Sequence, residues 1–220
     1  MWGRSLYENI QRFILFQLTI NVAALGIALF GPFIGVKLPL TVIQMLWVNL
    51  IMDTFAALAL ATEPPHPQVM EKPPRNPNDF IISGPMSKNI FSMGIVFVVV
   101  LSGILMSMQL NDGIMSDREL SIFFSVFIFL QFWNMFNARC LGLKQSAFKG
   151  LFDNPSFMII AVVILIGQFF AIQFGGKIFR TVPLCLTDWL IIILGTSPVL
   201  LIAEFKRLFG SNTAPTSKVP

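Results

Sequence analysis

One acid stands inside an apolar run. In "LWVNLIMDTFAALALATEPP", residues 46–65, Asp53 follows Asn49 by four residues, and on a helix that spacing puts both side chains on one face. An ionised aspartate in mid-span costs about 2.5–3.5 kcal/mol on insertion scales, so such a residue faces a cavity, meets a cation or binds an ion. No Lys or Arg lies deep in any apolar run of this chain, and the other acids fall in loops or near the ends of runs. What accompanies Asp53 is a set of amide oxygens: Asn49 in its own run, Gln17 and Asn21 in the first, Gln131 and Asn134 in the fourth. A hard cation such as calcium takes about 6–8 oxygens from carboxylates, amides and backbone carbonyls. A lone carboxylate brings too little charge for a tight site, so a second acid or freed carbonyls must come from elsewhere. The competing reading makes the amides glue between helices, with Asp53 protonated and hydrogen-bonded among them. It suits Gln17, Gln44, Gln168 and Asn134 better than Asp53, because hydrogen bonding alone does not call for an acid.

These groups need helices to hold them. Six apolar runs, 13–33, 39–61, 90–109, 121–138, 155–174 and 186–205, reach or approach the ~20 helical residues that cross a ~30 Å hydrocarbon core. Lone strands would leave backbone groups unpaired in lipid. The predicted fold is therefore all-α: a polytopic membrane protein, a bundle of six transmembrane helices. Composition agrees, with 55% hydrophobic and 12% charged residues and a mean hydropathy of +0.76, far from the balance of a soluble domain. The net charge of +4 comes without a basic cluster interleaved with aromatics, so it points to basic loops of a membrane protein, and no nucleic-acid partner is expected.

Local signals place the ends. Gly31-Pro32 is expected to close the first helix and Glu63-Pro64-Pro65 the second, while Asn154-Pro155 opens the fifth and Thr187-Asp188 caps the sixth. Ser5 to Glu8 fits a capping box, and Glu8 with Arg12 makes an i,i+4 pair. The domain plan is a cytoplasmic stalk at 1–12, starting the first helix, then a six-helix transmembrane transport domain at 13–209. That domain includes a cytoplasmic loop at 62–88, and residues 210–220 form a disordered cytoplasmic tail. Of the 15 Lys and Arg, all but Lys37, Arg118, Lys177 and Arg180 fall on the side of the two termini, which puts both termini in the cytoplasm. Cys140 and Cys185 belong to loops on opposite faces and are not expected to pair. His66, the one histidine, sits between prolines and reads as an exposed loop residue.

The stretch "WVNLIMDTFAALALATEPP" followed by "KPPRNPNDFIISGP" resembles the sixth membrane helix and following cytoplasmic loop of P-type calcium pumps. "MWGRSLYENIQRFILFQLTINVAAL" is similar to their fifth helix and its stalk, "QFWNMFNAR" to their eighth, and "QFGGKIF" to the segment before the tenth. The resemblance implies that Asp53, Asn49 and Asn21 are metal ligands and that Ca2+ is the transported ion. Ala24 and Gln131 stand where the sarcoplasmic-reticulum type has glutamates, and Met52 where it has threonine. That pattern is similar to the plasma-membrane type, which carries one calcium per cycle.

The same resemblance implies what this chain does without. The phosphorylation motif DKTGT and the nucleotide-binding, phosphorylation and actuator domains are missing from its sequence, as are the first four membrane helices, one of which supplies a glutamate and broken-helix carbonyls to the ion. ATP and Mg2+ would act only through those parts, and the chain has no catalytic residues of its own. The partners implied are the lipid bilayer and the remaining pump domains, and the location implied is the plasma membrane. On this reading the chain is a fragment, a truncated product or a split subunit, with Met1 an internal methionine of the longer pattern. Two other readings stand beside it: a stand-alone channel or carrier built on Asp53, and a non-catalytic truncated membrane protein.

Overall fold

The computed structural model describes residues 2–36, 39–65, 80–112, 115–143 and 145–209, with the backbone alone at 51–53, 111, 112 and 209. His66, most of the loop at 62–88 and the tail at 210–220 lie outside the described residues, as does the Asp53 side chain.

Among the described residues every regular element is helical. The first, α1 (Trp2–Ile34), is roughly 50 Å long at about 1.5 Å per residue, some 20 Å more than a hydrocarbon core. It begins earlier than a capping box at Ser5 requires, so Ser5 lies buried inside the helix rather than at its cap. The expected Glu8 to Arg12 pair forms, at 3.6 Å. Gly31-Pro32 does not close α1. The helix continues to Ile34 and ends on Gly35, whose φ of 94° is open to glycine. The Gly35 N–H donates to the Pro32 carbonyl at 3.1 Å and the Val36 N–H to the Gly31 carbonyl at 3.0 Å, the paired bonds of a Schellman stop.

The second apolar run is helical throughout but changes winding twice. It comprises α2 (Val42–Val48), a π-helical segment (Asn49–Ala56) and α3 (Ala57–Ala61). Thr41 and Gln44 form a capping box at its start. After it come α4 (Gly84–Asp112) and α5 (Asp117–Arg139), the latter capped by Ser116 and Glu119. Next is α6 (Pro155–Phe174), whose N-cap Asn154 accepts from the Phe157 N–H as Pro155 takes the first helical position. A single turn, α7 (Gly176–Phe179), leads to α8 (Leu186–Thr196) and α9 (Pro198–Phe209). The cap of α8 is Cys185, two residues before the expected Thr187. Asp188 takes the third helical position instead and reaches back to the Cys185 N–H at 3.3 Å. Its other oxygen accepts from Arg118 at 2.6 Å, tying the start of α8 to the start of α5.

Among the described residues five helices, α1, α4, α5, α6 and the joined α8 and α9, are long and apolar enough to cross a membrane. With the run Val42 to Ala61 as the sixth span, the protein is an all-α, multi-pass integral membrane domain. The centre is α5: 83% of its apolar window is buried, against 22–39% in the other four. Phe123, Phe124 and Phe127 are wholly buried along it, and α1, α4, α6, α8 and α9 pack around it. The outward faces of α4 and α6 carry Val99, Phe91, Ile159 and Phe170, an apolar skin suited to lipid.

The tightest contact is α1 on α4. A Cβ built on Gly26 would lie 2.3 Å from Val98 Cγ2, and one on Gly94 would lie 2.5 Å from Val22 Cγ1. Small residues at a crossing let two backbones approach, which is how helices gain van der Waals contact where lipid offers no hydrophobic driving force.

Candidate ion-binding site

The π segment holds two of the three residues expected to bind metal. Asn49 is its first residue, and its N–H still donates to the Leu46 and Met45 carbonyls as the C-cap of α2. Asp53 lies four positions on, in the same widened turn. In an α-helix, residues four apart diverge by about 40° around the axis, and a wider π turn brings them closer to vertical register. Where the bonding pattern shifts from i→i+4 to i→i+5, the carbonyl ladder is rearranged, and such segments recur at functional sites.

Asn21, the third expected ligand, sits on α1, which packs against the π segment. Both Asn21 and Asn49 have exposed side chains, and neither amide makes a hydrogen bond among the described residues. In a membrane helix an exposed, unbonded amide is costly. Each of the two amides lies open at the surface of its own helix.

The amides of Gln44, Gln131, Asn134 and Gln168 differ from this pair in being buried. Gln44 is spent on structure, donating to the Phe179 carbonyl at 2.9 Å, and Gln168 accepts from Trp47 Nε1 at 3.3 Å. Gln131 is wholly buried in α5 with neither amide atom bonded, and Asn134, three residues on, keeps an unbonded Nδ2. Ala24 is buried in α1 and offers no oxygen from its side chain. Among the described residues no three of His, Cys, Asp and Glu come together as a metal cluster.

A second polar cluster escapes the sequence reading. Glu63, expected only to end a helix, lies two residues beyond α3 with a side chain 2% exposed, and Arg139, the last residue of α5, is 6% exposed. Arg139 Nε donates to Glu63 Oε1 at 2.5 Å, Nη1 to the Ala147 carbonyl at 3.0 Å and Nη2 to the Gly150 carbonyl at 2.9 Å. Its guanidinium also rests over the Phe157 ring, 5.4 Å from the centroid. Asn154 adds a bond from Nδ2 to Glu63 Oε1 at 3.1 Å and another to the Thr62 carbonyl at 3.2 Å. From the other side Asn9, on α1, donates Nδ2 to the carbonyls of Ala61 and Glu63, both at 3.1 Å. Arg12 Nη1 holds Asn9 Oδ1 at 2.8 Å. The available signal was a lone acid before Pro64-Pro65 and a lone arginine closing the fourth apolar run, opposite charges at the same end of the bundle. Removing one partner of such a buried pair leaves a charge uncompensated, a loss of about 3–5 kcal/mol.

Comparison with known proteins agrees with this architecture. Residues 37–209 match the family described as "Cation transporting ATPase, C-terminus". The chain is 40% identical over 200 residues to plasma membrane calcium-transporting ATPase 2 of Oreochromis mossambicus, covering 86% of this chain and 18% of that one. It is 39% identical over 200 residues to human plasma membrane calcium-transporting ATPase 3, covering 86% and 16%. Against mouse plasma membrane calcium-transporting ATPase 1 it is 38% identical over 230 residues, covering 100% and 18%. The chain thus spans less than a fifth of the length of these relatives. Its six-span helical plan and the family match over most of its length have one meaning: the chain belongs to the family of cation-transporting ATPase carboxyl-terminal membrane domains.

Proposed function

We propose that this chain is the carboxyl-terminal part of the transport domain of an ATP-driven calcium pump of the plasma-membrane type. Asn21, Asn49 and Asp53 supply oxygens to one calcium ion midway through the bilayer. The observation that carries the reading is the exposed, unbonded Asn49 at the head of a π segment that also holds Asp53. The names of the relatives, all plasma membrane calcium-transporting ATPases, support calcium as the cargo.

Charge and ligand number support dependence on further parts. Asp53 contributes one negative charge and the two asparagines none, while calcium carries two positive charges and takes about 6–8 oxygens. A second acid and freed carbonyls complete the cage from helices outside this chain. ATP and Mg2+ act in cytoplasmic domains that are likewise outside it. Phosphorylation there moves α1, whose first residues form a stalk at 1–12, and the site alternates between states of different calcium affinity. Differential affinity between two states is what allows release on the far side. Both termini face the cytoplasm, in keeping with the Lys and Arg asymmetry.

Asp53→Asn tests this reading. The chain is tagged in its native membrane, purified with whatever is continuous or associated with it, and assayed for calcium-dependent phosphorylation from ATP. Asp53→Asn removes the calcium dependence, and labelled calcium enters vesicles in preference to manganese for the unaltered protein. An unchanged calcium midpoint in Asp53→Asn overturns the ligand assignment. ATP-independent calcium flux through liposomes holding this chain alone would favour a channel or carrier.

A further inference from the structure

Among the described residues the buried cluster around Glu63 makes no hydrogen bond to Asn21 or Asn49, yet it grips the element that carries Asn49 and Asp53. The π segment runs directly into α3, and α3 ends at Ala61, two residues before Glu63. Three of the last carbonyls of this run are held by side chains from other helices: Ala61 and Glu63 by Asn9 of α1, Thr62 by the α6 cap Asn154. A helix end normally leaves its carbonyls to water or to its own cap. Here they are taken by the long first helix on one side and the bundle on the other.

We propose that Asn9 and Arg139 are positioning residues that fix the π segment between α1 and the rest of the bundle, with Glu63 as the shared clasp. This deepens the calcium reading and rests on it for its functional consequence. Asn9 couples displacement of α1 to the end of α3. Arg139 makes the opposing hold, since its three donors reach Glu63, Ala147 and Gly150. The hold extends further: the Ala147 N–H donates to Glu204 Oε2 at 3.0 Å, so α9 is braced against the same short stretch. A residue held by its backbone carbonyl from Asn9 and by its carboxylate from Arg139 has a defined position, whereas an apolar contact of equal stability permits sliding. Replacing a buried ion pair by apolar residues of similar size is often neutral for stability, which separates holding the fold from placing the segment.

Two variants test it in the tagged native protein. In Asn9→Ala, which removes both carbonyl bonds and the partner of Arg12 Nη1, the backbone amides of residues 49–62 exchange with deuterium about five- to tenfold faster, while α4 and α6 exchange as before. In the paired substitution Glu63→Met with Arg139→Met, melting is retained and exchange over 49–62 rises in the same way. The calcium midpoint for phosphorylation shifts in both. Unaltered exchange over 49–62 in Asn9→Ala, or an increase spread evenly over all helices, overturns the proposal. So does a faster segment whose calcium midpoint does not move. Exchange does not depend on the cargo: an unaltered protein without calcium-dependent phosphorylation refutes the calcium reading, while local exchange still decides whether Asn9 places the segment.

Discussion

At the scale of single residues, the two cysteines report on opposite ends of the same post. Cys140 follows the last residue of α5 and is buried; Cys185 caps α8, beside the start of α5, and is exposed. The 23 residues of α5 put these ends roughly 35 Å apart, so no disulfide joins them. Burial pushes the Cys140 thiol up from its ordinary value, outweighing the nearby Arg207 and Arg139. The thiolate is the form that alkylates, so at neutral pH Cys140 carries little of it. Maleimide is expected to label Cys185 in the folded protein and Cys140 only after denaturation, as read by mass spectrometry of peptides. An impermeant maleimide applied to sealed cells reaches Cys185 if the termini are cytoplasmic, and misses it if the orientation is reversed.

Helix ends show how far residue-level signals carry. Asn154-Pro155 was legible because cap and proline act within one turn and need no distant partner. The end of α1 was misplaced because Pro32 removes only one donor, and Gly35 supplies a better stop three residues later. Thr187-Asp188 was read as the cap of α8, but Asp188 is the residue that reaches back to it, three positions after Cys185. Glu63 was read only as a helix end because its partner Arg139 lies 76 positions away, and a separation of that kind leaves no periodic trace in sequence.

At the scale of elements, the crossing of α1 and α4 makes a sharper claim than any apolar pattern does. Hydropathy marks both as spans, yet it does not say that Gly94 faces Val22 or Gly26 faces Val98. The contact tolerates no methyl group: a Cβ on Gly94 would lie 2.5 Å from Val22 Cγ1 and 2.8 Å from its Cβ. Valine is branched at Cβ and stiff about χ1, so it has no low-cost route out of the way and the helices must separate. Gly94→Ala is expected to cost about 1–3 kcal/mol, the usual range for overpacking, seen as a lower melting temperature in detergent. Gly103→Ala on the same helix is the control, since nothing lies within 4 Å of its added Cβ. Equal melting of the two variants would show that α1 and α4 do not approach as described. The π segment belongs to this scale as well. The sequence displayed an acid and an amide at i,i+4, but an α-helix and a π-helix use the same residue types, and the change of winding falls where the segment packs against α1 and α6.

For the whole molecule, the distribution of polar groups over the surface sets the decisive expectation. The lipid-facing helices of the described bundle present apolar side chains. Asn21 and Asn49 break that rule together, on two elements that touch. Leaving both amides in hydrocarbon would cost several kcal/mol with no return, so the calcium reading requires that face to be covered by other membrane helices in the native assembly. Asn21→Cys and Asn49→Cys, each with Cys185→Ser, turn this into a measurement. With the chain alone in detergent, both cysteines are expected to react with maleimide at rates near that of an exposed thiol. In the native assembly they should be slowed by at least about tenfold, and calcium should slow Asn49→Cys further if neighbouring ligands still close around the ion. Equal rates in the chain alone and in the native assembly would mean that nothing covers the face, and the proposal of an intramembrane calcium cage would fall with it.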